Sequence, residues 1–154
     1  DEGFRTIISL FKKDGLSTKQ RIESCHTFFK FEPDDFWRHR YRFDQPPSAT
    51  RLSIGAERTN DLLVNGILPV VLLYARVFKD TNIRTHALSA LDSLPPQQEN
   101  SVTRVLQRQL LKQKTRFSSA LAQQGGIQLY KFFCTPVRCS ECDIGKQLSL
   151  PGHD

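Results

Sequence analysis

The sequence has no methionine, and it lacks the basic region and apolar stretch with which a secretory signal peptide begins. It opens instead on Asp1 and Glu2. We therefore expect a cytoplasmic protein, and the missing methionine indicates a fragment of a longer chain.

Long hydrophobic runs are also missing. The most apolar stretch, residues 62–78, is interrupted by Asn65-Gly66 and by Pro69, so we expect buried helix here and no membrane span. Proline after an Asn-Gly pair predicts two helices in this stretch, the second of them buried on most sides. Leu68, Val71, Leu72 and Ala75 are the predicted centre of the core.

Familiar catalytic motifs are absent as well. The chain contains no G-x-x-x-x-G-K-[ST], G-x-G-x-x-G, H-E-x-x-H or G-x-S-x-G. Its histidines are scattered, with no pair at metal-ligand spacing: they are His26, His39, His86 and His153. We predict no catalytic residue and no enzyme activity for this chain alone.

What is present is helical periodicity, without a convincing alternating strand. We predict an all-α fold of about six to eight helices in a single compact domain over residues 1–154. Its parts are N-terminal helices over residues 1–44, core helices over residues 53–133 and a short cysteine knuckle over residues 134–146. The only plausible linker is Gln45-Pro46-Pro47-Ser48.

Several helix ends are readable. Gly15 ends the first helix, and Ser17 with Gln20 forms a capping box that begins the second. A third helix is predicted from Pro33, and another helix begins at Ser101. A short helix near Ser118–Leu121 is expected to stop before Gly125-Gly126.

Three of the four cysteines fall within nine residues, at Cys134, Cys139 and Cys142. A C-x2-C pair can place two thiolates on one metal, and cysteines this dense without a secretory signal favour metal over disulfides. We predict structural zinc, with Cys25, His26 or His153 as the fourth ligand. An iron–sulfur cluster or metal-free cysteines are the alternatives.

The chain carries a formal net charge of +6, and that excess lies mainly within residues 101–146. Arg104, Arg108 and Lys112 are spaced by four and share one helix face, which Lys114 and Arg116 extend. Such a ridge, without interleaved carboxylates, favours an anionic partner such as nucleic acid. The alternative is an ordinary solvated face.

Aromatic and basic residues alternate from Trp37 to Phe43, as in surfaces that stack bases and neutralise phosphates. Trp37 and Tyr41, however, lie four residues apart on the predicted third helix and so share a face. We therefore expect them to pack into the core while the arginines point to water.

Three stretches together resemble a known family. They are Asp35-Phe36-Trp37 with Tyr41-Arg42-Phe43, then Asn60-Asp61-Leu62-Leu63-Val64-Asn65-Gly66-Ile67-Leu68-Pro69, then Gln128-Leu129-Tyr130 with Cys134, Cys139 and Cys142-Asp143-Ile144-Gly145. The chain is similar to the C-terminal half of a bacterial family known as domain of unknown function 2851. The family pattern has a histidine just before Tyr41, whereas this chain has Arg40, so no role for that histidine carries over.

The resemblance implies a two-part protein whose N-terminal half has a pattern similar to PD-(D/E)xK nucleases. This chain would then be the non-catalytic helical partner of that half, and the full-length protein a possible nuclease. Three hypotheses are open: a module that helps the other half to engage nucleic acid, a structural or protein-interaction domain, and, from the cysteines alone, an iron–sulfur or redox module.

Overall fold

The computed structural model describes residues 2–30, 34–40, 42–44, 46–47, 54–109 and 116–148. Within these ranges the protein is all α-helical and contains no strand, as predicted. The chain divides into two compact units, Asp1–Ser93 and Leu94–Asp154. The single domain expected over residues 1–154 stays a prediction, and each unit is described by itself.

The first unit is built from α1 (Glu2–Lys12), α2 (Thr18–Phe28), α3 (Ala56–Leu62), α4 (Leu68–Val77) and α5 (Thr81–Ser93). The second contains α6 (Ser101–Gln109), α7 (Ala120–Leu129) and α8 (Asp143–Leu148). A π-helical turn, Leu63–Ile67, joins α3 to α4, and a second, Tyr130–Cys134, extends α7. A 3₁₀ turn, Cys139–Glu141, precedes α8.

Local capping explains several of the helix starts. The Ser17 hydroxyl accepts the Gln20 N–H at 3.2 Å, and the Gln20 side chain accepts the Ser17 N–H at 2.8 Å. This is the predicted capping box, and it is confirmed. Gly15, beyond the end of α1, has a left-handed φ of 83°, which fits its predicted place at a helix end.

The core of the first unit lies among α1, α4 and α5. Three of the four predicted core residues are buried: Leu68 is 1% exposed, Val71 0% and Ala75 2%. The prediction for Leu72 is wrong, because this side chain is only half-buried. Ile83, Ala87 and Ala90 of α5 complete this part of the core.

The most apolar stretch, residues 62–78, is expected to form two separate helices. It lies instead in one continuous helical stretch made of α3, the π-helical turn and α4. The Leu68 N–H donates to the Leu63 carbonyl five residues back, and Pro69 follows within the first turn of α4. Proline has no N–H, so a π-helical turn at this point changes the register where an α-helical donor is missing.

This stretch, Ala56–Val77, is long and apolar enough to cross a membrane, with a mean hydropathy of 1.3 over its most apolar window. That is weak evidence for a span, because core helices meet the same criterion. Within α4 only Leu68, Val71 and Ala75 are buried, so the expectation that this second helix is buried on most sides is wrong. Val70, Leu73 and Val77 form an exposed apolar row on α4.

The predicted third helix does not form over residues 34–40 and 42–44, which make turns and bends. Asp34 caps a single turn, accepting the Trp37 N–H at 3.0 Å. The Trp37 and Phe43 rings then meet with centroids 4.6 Å apart. A helix would set these two residues about 120° apart, so their contact requires a folded-back chain.

Trp37 is half-buried and Phe43 is 80% exposed, so the aromatic cluster lies at the surface. The expectation that Trp37 packs into the core is therefore wrong, and Tyr41 lies outside the described residues. Arg40 stacks over the Phe36 ring at 4.6 Å. This cation–π contact stabilises the position of the Arg40 side chain over the Phe36 ring.

Helix α7 is longer than predicted and runs through Gly125-Gly126. It begins at Ser119, whose hydroxyl accepts the Ala122 N–H at 3.2 Å. A Cβ added to Gly126 would lie 2.8 Å from the Phe117 ring, whereas one added to Gly125 would meet nothing within 4 Å. Gly126 therefore permits close packing inside a helix and does not end it.

Candidate functional site

The basic ridge lies on α6. Asn100 begins this helix by accepting the Thr103 N–H at 2.9 Å on its side-chain oxygen. Thr103 and Leu106 are buried, which turns Arg104 and Arg108 to the exposed side. Two of the five predicted cations are thus placed one helical turn apart on a solvent-facing surface.

Of the other predicted cations, Arg116 is exposed, whereas Lys112 and Lys114 lie outside the described residues. Neither Arg104 nor Arg108 has an ion pair among the residues that the structure describes. The α6 sequence SVTRVLQRQ also contains no carboxylate. We call Arg104 and Arg108 the α6 basic face.

The cysteine motif forms a compact turn with free thiols. Cys142 is buried, Cys134 is half-buried and Cys139 is exposed. Burial raises the pKa of the Cys134 thiol, and the charges of Cys142 and Cys139 raise it further. The three thiols are therefore close enough to influence one another's ionisation.

Proximity does not make these thiols a ligand set. In the described ranges no group of three or more His, Cys, Asp or Glu side chains could hold a metal ion, and these cysteines are no exception. As arranged here, Cys134, Cys139 and Cys142 do not fit a zinc ion or a cluster.

The proposed fourth ligands have other surroundings. Cys25, in the first unit, is 1% exposed, and burial raises the pKa of its thiol to about 11. The His26 Nε2 lies 2.8 Å from the Asn60 side-chain oxygen, also within the first unit. His153 lies outside the described residues.

Other contacts account for the local shape of the motif. Arg138 donates through Nε to Glu141 at 3.0 Å and through a second nitrogen to the other carboxylate oxygen. This ion pair lowers the pKa of Glu141 and raises that of Arg138. A Cβ on Gly145 would lie 2.5 Å from the Cys139 carbonyl oxygen, so the glycine lets α8 pack against the 3₁₀ turn.

The family of this chain is shown by comparison with models of known protein families. A family model described as "Protein of unknown function (DUF2851)" matches residues 7–100. The chain belongs to the DUF2851 family. No curated protein and no solved structure matches the chain.

The DUF2851 match confirms the predicted family. It covers the stretches at residues 35–43 and 60–69 that carry the resemblance, and not the third at residues 128–145. It includes the first unit from residue 7 and ends before α6, so the α6 basic face and the cysteine motif lie beyond it. The nuclease-like N-terminal half stays a prediction.

One buried polar cluster of this DUF2851 chain was missed by sequence reasoning. Arg21 is 1% exposed and donates to the carbonyls of Leu10 and, at 2.7 Å, Lys13, at the end of α1. Burial lowers the pKa of Arg21, and the Asp14 carboxylate opposes that shift. Periodicity gave no signal for it, because an arginine on a helix is normally assigned to solvent.

His86 completes this cluster. Its Nδ1 lies 2.8 Å from the Phe11 carbonyl oxygen, and its Nε2 lies 3.3 Å from an Arg21 nitrogen. Since the carbonyl only accepts and the guanidinium only donates, the ring proton is on Nδ1. The cluster satisfies carbonyls that the end of α1 leaves unpaired, so its role is structural.

Proposed function

We propose that this chain is a non-catalytic helical module that contacts nucleic acid through the α6 basic face, beside a nuclease-like N-terminal half. One observation carries the proposal. Arg104 and Arg108 are exposed one turn apart on a helix that has no carboxylate.

The physical argument is that like charges four residues apart on a helix repel one another. A phosphate between or beside them removes that repulsion, and arginine forms paired hydrogen bonds with phosphate oxygens. The exposed Arg116 and the net charge of +6 add a general attraction to polyanions. We expect contact with the backbone and no base preference.

The test is fluorescence anisotropy with a short labelled DNA duplex and an RNA duplex of the same sequence, at low ionic strength. We expect R104Q and R108Q each to weaken binding, and the double variant to weaken it most. The matched control is R5Q, which removes an exposed cation from α1. Equal binding by the parent and the double variant would exclude the α6 basic face as the contact.

A second candidate is a protein-interaction role, favoured by the apolar row on α4. Val70 is 46% exposed, Leu73 59% and Val77 64%, and Phe78 beyond them is 65% exposed. We propose the N-terminal half of the same protein as the partner. L73E should then abolish co-purification of the two halves, whereas N82E on α5 should not.

A zinc site at Cys134, Cys139 and Cys142 stays a prediction. It requires the three thiols to move from their positions in this structure until they meet at one ion. Its test is metal analysis of untagged protein. Stoichiometric zinc, and a Tm lowered both by chelator and by C139S, would establish the site. Purified protein without bound metal would exclude the zinc site. A brown protein on anaerobic purification would indicate an iron–sulfur cluster instead.

A further inference from the structure

A surface cavity of about 590 Å³ lies where α4 turns into α5 in the first unit. Its apolar lining comes from Leu72, Ala75 and Leu88, and its cations are Arg76, Lys79 and Arg84. Cavities of this size with apolar walls and a few polar groups are the usual form of small-ligand sites.

The three cations have no ion pair within the part of the chain that the structure describes. Asp80 also lines the cavity, but its Oδ1 accepts the Ile83 N–H at 3.0 Å at the start of α5. Three cations and one carboxylate therefore leave an excess of positive charge in a concave site.

Lys79 is held there in a strained conformation, with a left-handed φ of 54°. It occupies the turn that ends α4, where the Asp80 N–H donates to the Ala75 carbonyl at 2.9 Å and the Lys79 N–H to the Arg76 carbonyl at 3.4 Å. Glycine is the usual residue at this position because a Cβ is unfavourable there. A lysine kept at this unfavourable position adds a cation to the cavity that the usual glycine would not supply.

We propose that this cavity binds a small organic phosphate. Arg76, Lys79 and Arg84 hold the phosphate group, and the apolar part rests on Leu72, Ala75 and Leu88. Clustered arginine and lysine side chains suit phosphate oxygens, whereas the backbone of a duplex would leave the apolar floor unused. This site is in the first unit and is independent of the nucleic-acid contact proposed for α6.

The probe is 1-naphthyl phosphate, with its binding to the full chain followed by calorimetry. We expect K79G to weaken binding about tenfold, because it removes a charge-assisted contact. The same variant should raise Tm by about 3 °C, because glycine relieves the strain. The control R5Q removes an exposed charge from α1 and should change neither value.

R84Q is a second variant that leaves the strained turn intact, and we expect it to weaken the probe about tenfold at unchanged Tm. Both 1-naphthol and inorganic phosphate should bind more weakly than the probe. The proposal is overturned if the probe does not bind, if K79G keeps the parent affinity, or if 1-naphthol binds equally well. Duplex DNA that displaces the probe equally well from the parent and from the R104Q/R108Q variant would show that the cavity itself contacts nucleic acid. That result would also overturn the proposal.

Discussion

Lys79 and Val137 are the non-glycine residues with left-handed φ angles, 54° and 55°, among those that the structure describes. Lys79 lines a cationic cavity, whereas the Val137 side chain is 79% exposed beyond the π-helical turn. A β-branched residue is especially unfavourable in this region, and the Val137 N–H donates to the Cys134 carbonyl at 3.1 Å. The strain at Val137 is thus a property of the backbone turn.

Replacing Val137 with glycine should therefore stabilise the protein. We expect V137G to raise the free energy of unfolding by about 1 kcal/mol, since glycine adopts positive φ without a steric penalty. Urea unfolding measures the change. V137A keeps a Cβ, so it should give less than half of the increase in the free energy of unfolding. A V137G protein less stable than the parent would show that the valine side chain makes a stabilising contact of its own.

Cys25 makes stability depend on pH at the alkaline end. Burial raises the pKa of its thiol from 9.0 to about 11, so folding favours the neutral form. This contribution is complete below the unfolded-state pKa and is lost as the pH rises from there toward the folded value. Its full size is about 3 kcal/mol.

The measurement is urea unfolding at neutral pH and at about pH 11 for the parent and C25A. The parent should lose more stability than C25A across this interval. C139A, which removes an exposed thiol, should behave as the parent does. Identical losses in the parent and C25A would mean that the Cys25 thiolate is tolerated in the core.

Helices α1 and α2 could be predicted from sequence because the signals that end the first and begin the second are local. The Ser17–Gln20 capping box is four residues long and needs no tertiary contact. By contrast, the Gly125-Gly126 pair looks like a helix end, and only the neighbouring Phe117 ring explains why Gly126 lies inside α7. Packing against a distant residue leaves no periodic signal.

The two glycines of α7 give a matched pair for testing this account of the helix. G126A should lower the free energy of unfolding by about 1–3 kcal/mol, because its Cβ would lie 2.8 Å from the Phe117 ring. G125A meets nothing within 4 Å and should raise it by up to about 1 kcal/mol. Thermal or urea unfolding of both variants measures these changes. Equal changes in the free energy of unfolding for G126A and G125A would contradict the close packing at Gly126.

At the scale of the whole molecule, the sequence predicted the helical class, three of the four core residues proposed on α4 and the exposed cations of α6. Amphipathic spacing sets which face of a helix is exposed. The sequence could not show how the thiols lie, since the spacing of Cys134, Cys139 and Cys142 brings them near each other without directing the sulfurs to one point. Arg21 was missed because burial of an arginine depends on carbonyls elsewhere in the chain.

The central claim, phosphate contact by the α6 basic face, is tested most directly by the salt dependence of duplex binding. Each phosphate that the protein neutralises contributes roughly one to the slope of log affinity against log salt. We predict that R104Q and R108Q each reduce the slope by about one, for DNA of any sequence. A slope unchanged in the double variant, or no salt-sensitive binding by the parent, would contradict the claim.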